Sequence, residues 1–186
     1  MVPEGEPLVV TFADVAKAAG HVCPAVASAY RSAQLALDRL YPDEYPVRLN
    51  VAVTVGGEPS DSGLGPMVNM IQYITGAADE TGFAGFGRCG GRENLLSFDD
   101  VDGSGRAFRF ERTGTYGSVV VSFDPSGTGT DPDSGRGSPT QTLSKVVAGT
   151  ANETEATTFR DQWYDRVQGI LEAPADGGPL TVETKE

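Results

Sequence analysis

Gly20-His21-Val22-Cys23-Pro24 constrains this chain more than any other stretch. The residues before it, from Thr11 to Ala19, read as a short capped helix, and Gly20 is the residue that commonly closes such a helix. Pro24 suits the first position of the next one. After it Val26, Tyr30, Ala33, Leu37 and Leu40 recur every three or four residues, which predicts an amphipathic helix to about Tyr41-Pro42. Two helices must therefore meet at a corner only a few residues long. That corner carries the one histidine of the chain, His21, and one of its two cysteines, Cys23.

The residues beyond the corner predict an α+β fold. Residues 47–55 alternate and are valine-rich, as a strand should be. Pro66 is expected to open a further helix carrying Met67, Met70, Ile71 and Ile74 on one face, ending at Thr75-Gly76. A glycine-dense stretch over 79–93 is too irregular for regular structure. Strand-like runs follow at 94–98, 106–112 and 116–123, with Asp102-Gly103 and Thr113-Gly114 as hairpin turns. Together these give an α-β-α-β-β-β core, with a mainly antiparallel mixed sheet and helices on one face. Residues 1–123 form the expected main domain and 124–139 a flexible Asp/Gly/Ser loop. A C-terminal helical extension over 140–173 carries the stripe Phe159, Trp163, Val167 and Ile170, with an Asn152/Glu155 capping box. Residues 174–186 are expected to be a loose tail.

Charge narrows the partners. The chain holds 26 acidic against 14 basic residues, a net charge of −12, so a phosphate backbone is not an expected partner. The first residues are acidic and polar and no apolar run reaches the length of a membrane span, which points to the cytoplasm and to no membrane. Two cysteines cannot make a disulfide framework; they are free thiols, ligands, or one Cys23–Cys89 bridge.

The corner also suggests chemistry. A residue before proline is pushed toward extended backbone, so His21 and Cys23 can point to the same side. Cys23 as N-cap would hold its sulfur at the positive end of the helix, where a thiolate is favoured. Cys89 lies among glycines that allow close approach. His21, Cys23 and Cys89 with an open fourth position have the composition of a catalytic or substrate-binding zinc-type site. Softness allows other late first-row metals, and a Cys-Pro pair allows haem iron. A metal-free alternative makes Cys23 a nucleophile with His21 as its base.

The same segments resemble a known family. Gly20-His21-Val22-Cys23-Pro24, followed by Tyr30-Arg31, looks like the opening motif of the FmdE family, which takes its name from a component of formylmethanofuran dehydrogenase. Val68-Asn69-Met70-Ile71-Gln72 through Thr75-Gly76 is similar to that family's second motif, and Cys89 to Leu95 to its third. The resemblance covers about Val10 to Phe123. It implies a topology like the catalytic domain of glyceraldehyde-3-phosphate dehydrogenase, and metal binding by His21, Cys23 and Cys89. Other polar groups could line such an open site as small-molecule contacts: Asn69 and Gln72 on one helix, Tyr30 and Arg31 on another, and Arg92 and Asn94 near Cys89. Ala19 stands where the family has a first histidine, Pro66 where it often has a cysteine, and Asn69 where it has aspartate. The ligand set is thus reduced. The functional expectation is a metal-binding protein, zinc foremost, with a small-molecule ligand and a homodimeric state. The alternatives are the Cys23 enzyme and an accessory component of a metalloenzyme complex that has lost part of the site.

Overall fold

The computed structural model describes residues 7–86, 90–103, 106–115, 117–128 and 139–185. Helix α1 spans Phe12–Ala19 and begins in a reciprocal cap. The Asp14 amide donates to Thr11 Oγ1 at 3.3 Å, and the Thr11 amide donates to Asp14 Oδ2 at 3.0 Å. Gly20 closes it in the left-handed region, at φ 75°, where a side chain would be strained. Helix α2, Pro24–Leu40, follows after the predicted corner, with Cys23 as its N-cap.

Strand β1 (Val51–Gly56) leads through a loop into helix α3 (Leu64–Thr75), and strand β2 (Leu96–Asp99) returns parallel to β1. Strands β3 (Arg106–Arg112) and β4 (Ser118–Phe123) form an antiparallel hairpin on the other side of β1. A 3₁₀ turn at Pro125–Thr128 and helices α4 (Pro139–Val147) and α5 (Glu153–Leu171) come next, then β5 (Asp176–Gly177) and β6 (Leu180–Lys185). The sheet order is β2-β1-β3-β4-β6-β5. The fold is α+β with a mixed, mainly antiparallel sheet, as the pattern predicts.

Three expectations need correction. Asp102-Gly103 does not turn a hairpin, because β1 lies between β2 and β3. The β1–α3–β2 unit is a parallel crossover, which local turn chemistry cannot distinguish from a hairpin. The C-terminal tail is not loose. Leu180 and Val182 alternate with Thr181 and Glu183, and β6 pairs with β4 through Phe123↔Leu180 and Val121↔Val182. Without β6, the nearly fully buried β4 would present its unpaired backbone as a sheet edge. Helix α3 starts at Leu64, not at Pro66. Proline is tolerated there because the first turn has no intrahelical acceptor for its missing N–H. The expected 124–139 loop is a 3₁₀ turn at its start, and 129–138 lies outside the described residues.

The core lies between one face of the sheet and the helices. Val53, Phe110 and Val119 stand in one row across β1, β3 and β4, with Val55, Phe108 and Val121 in the next, and all are buried. Helix α2 packs on β3, β4 and β6 and is flanked by α3 and α5. It is buried more widely than its leucine-tyrosine stripe suggests: Ala27, Ser28, Ala29, Ser32 and Ala36 are all inaccessible, while Tyr30, Leu37 and Leu40 are not fully buried. Small residues on several sides let α2 lie close to the sheet and to two helices at once. Helix α5 and the residues just after it are held by two polar links. The Trp163 indole donates to the Val22 carbonyl at 2.9 Å, and Arg31 donates to the Ala173 carbonyl through Nε at 3.1 Å and Nη2 at 2.6 Å.

Candidate functional site: a helix corner and a cleft

The corner places two candidate ligands. His21 is exposed, and its Nδ1 lies 3.0 Å from the Ala19 carbonyl oxygen. A carbonyl can only accept, so Nδ1 carries a proton and donates, and Nε2 is the nitrogen through which the ring would ligate. A backbone carbonyl holding the second ring nitrogen is the usual orientation device of a ligating histidine. Cys23 is extended, at φ −151°, ψ 163°, and its Sγ accepts the Val26 amide at 3.4 Å at the positive end of α2. The thiol is free but buried, with 8% of the residue exposed. No hydrogen bond joins His21 to Cys23: the ring is turned to Ala19 and the sulfur to Val26. The donor set, one imidazole nitrogen and one helix-capping sulfur, has the chemistry of a zinc-type half-site. Among the described residues no three His, Cys, Asp or Glu side chains converge on one point. Cys89, the expected third ligand, lies outside the described residues.

The proposed small-molecule contacts are on a different feature, at the C-terminal end of α3. Asn69, Gln72, Tyr73, Gly76, Phe83 and Arg92 line a cleft of about 350 Å³. Three of the expected contacts, Asn69, Gln72 and Arg92, thus stand together. Asn94 does not line the cleft. It occupies the left-handed region at φ 57°, and its amide donates to the Asp79 carbonyl at 3.0 Å. Neither His21 nor Cys23 lines the cleft. Tyr30 packs edge-on against Phe12, with ring centroids 5.7 Å apart, and Arg31 is held by Ala173 and Gln34, so both serve packing.

Arg48 is the residue that sequence reasoning missed. It precedes β1 and reaches over the end of α3, where Nη2 donates to the Tyr73 carbonyl at 2.6 Å. Its Nε is buried without a hydrogen-bond partner. Burial, and then the neighbouring Arg92 charge, hold its guanidinium below the usual arginine range. Nothing near Arg48 in the chain signals this role. The nearest acid upstream, Glu44, is paired with Arg112 instead.

A second cleft, of about 320 Å³, opens where β1 and β2 end, beside Gly57, Asp61, Asp100 and Arg106. The carboxyl ends of adjacent parallel strands are a common ligand position in α/β units. Here Arg106 Nη2 is tied to the Ser62 carbonyl at 2.9 Å and Asp61 Oδ2 to the Glu58 amide at 2.9 Å, so both charged groups hold the loop.

Compared with known proteins, the chain matches no family model and no curated protein. No helix among the described residues is long and apolar enough to cross a membrane.

Proposed function

We propose that this chain is a metal-binding protein of the kind the FmdE family represents. His21 Nε2 and Cys23 Sγ supply two ligands, Cys89 a third, and an open position remains for a small molecule. The observation that carries this reading is the His21 ring: its Nδ1–H is spent on the Ala19 carbonyl 3.0 Å away, which leaves Nε2 as its ligating atom, two residues before the helix-capping sulfur of Cys23. Soft nitrogen and sulfur donors favour zinc among the common divalent ions. Bound there, the ion would act as a Lewis acid toward the molecule at the open position. The chain's own contribution is orientation: α1 and Gly20 aim the imidazole, and the first turn of α2 holds the sulfur. The metal-free nucleophile alternative has less support, because a thiol and its base should be hydrogen-bonded and these two are not.

Elemental analysis of the purified full chain tests the proposal, as isolated and after reconstitution with zinc or cobalt(II). The expected result is a stoichiometric ion, with a thiolate-to-cobalt absorption band in the near ultraviolet. Cys23→Ser and His21→Ala should each lose the ion, with α-helical circular dichroism unchanged. A reconstituted wild type without a stoichiometric ion, or a Cys23→Ser protein that binds as tightly, refutes it.

A further inference from the structure

Two arginines converge over the end of α3, and among the described residues neither has a salt-bridge partner. A Cβ placed on Gly76 would lie 3.0 Å from Arg48 Nε, 3.1 Å from Arg92 Cδ and 3.3 Å from Arg92 Nη1. Both side chains therefore crowd one glycine, which sits in the left-handed region at φ 77° and has no side chain to fill the gap. Among the described residues the salt bridges of this chain use Lys17, Arg109, Arg112, Lys145 and Lys185, but neither Arg48 nor Arg92. That is unexpected in a chain with 26 acidic residues against 14 basic ones. The carbonyl end of α3 offsets part of the repulsion, since Arg48 donates to Tyr73 there. A helix C-terminus supplies only about half a unit of negative charge, against two positive ones. Placing like charges together, at a cost and beside a cleft, is how proteins prepare a site for a ligand of opposite sign.

We propose that the α3 cleft binds a small oxyanion-bearing molecule, its carboxylate or phosphate head held by Arg92 with Arg48 behind it. Arg92 lines the cleft, and a guanidinium fork is suited to two parallel hydrogen bonds to such a head. Asn69, Gln72 and Phe83 line the same cleft, and their amide and aromatic chemistry suits the neutral part of the ligand. Its volume, about 350 Å³, is at the small end of ligand sites, so the fit is to a metabolite and not to a polymer. The net charge of −12 repels anions generally, and the paired arginines offset it locally. This site is independent of the His21–Cys23 metal proposal and shares no residue with it.

Isothermal titration of the full chain with sodium phosphate and, separately, with sodium succinate tests this, at ionic strength held constant with sodium chloride. Saturable binding of at least one of the two is expected; which one binds more tightly separates a phosphate from a carboxylate ligand. Arg92→Gln should weaken that binding about tenfold or more. Arg92→Lys, which keeps the charge and loses the fork, should fall between. Without ligand, Arg92→Gln should melt no lower than wild type, since repulsion with Arg48 is relieved. Binding of neither anion, or equal binding by wild type and Arg92→Gln, overturns the proposal. So does an Arg92→Gln chain that fails to fold or melts well below wild type, because Arg92 would then be a structural cap of α3.

Discussion

Trp163→Phe tests whether α5 holds the His21–Cys23 corner. The indole N–H donates to the Val22 carbonyl at 2.9 Å, across 141 positions of chain, and the ring rests on Phe159 with centroids 5.1 Å apart. Phenylalanine keeps the stacking position and loses the donor. One hydrogen bond of this kind is worth about 1 kcal/mol net, and Val22 is only half-buried, so water can reach its freed carbonyl and the larger penalty of an orphaned acceptor does not apply. The lost part of the indole removes roughly another 1 kcal/mol of apolar burial. The sum, about 2 kcal/mol, corresponds to a roughly thirtyfold shift in the opening equilibrium of the corner. Cys23 reports on that opening, because only 8% of it is exposed and a labelling reagent must wait for the corner to move. In a Cys89→Ser background, the rate at which a disulfide reagent modifies Cys23 should rise by about that factor, and the urea midpoint should fall with an unchanged slope. A labelling rate equal to that of the parent, at lower global stability, would show that α5 does not hold the corner.

Two further outcomes follow from the core and the caps. Phe110→Ala, at a wholly inaccessible position between Val53 and Val119, should cost about 3–5 kcal/mol in chemical denaturation; a loss below ~1 kcal/mol would contradict its place in the core. Asp14 is held below its ordinary 3.8 by the Thr11 hydroxyl first and the Thr11 amide second. A depressed carboxylate stabilises the fold above its unfolded value and stops doing so as the pH falls through its folded value. The urea midpoints of wild type and Asp14→Asn should therefore differ at neutral pH and converge below pH 3.8, and a gap that persists in acid would exclude the capping carboxylate as its source.

Local chemistry determined much of this protein by itself. Thr11 with Asp14, Gly20, Pro24 and Asn152 with Glu155 are caps and stops whose effect is complete within a few residues, so α1, the start of α2 and the start of α5 are readable from the chain alone. The placement of Cys23 as an extended N-cap follows from Pro24 in the same way. Tertiary structure decided what depends on distant partners. The parallel pairing of β2 with β1 comes from the α3 crossover, and the strand at Leu180–Lys185 exists because β4 needs a neighbour. The breadth of α2 burial reflects the helices and strands that surround it, not its own periodicity. The cleft shows the same division. Asn69, Gln72 and Arg92 could be singled out by motif, but Arg48 meets Arg92 at Gly76 only because the residues before β1 fold over the end of α3. Charge repulsion between two arginines distant in sequence arises only after the chain has brought them together.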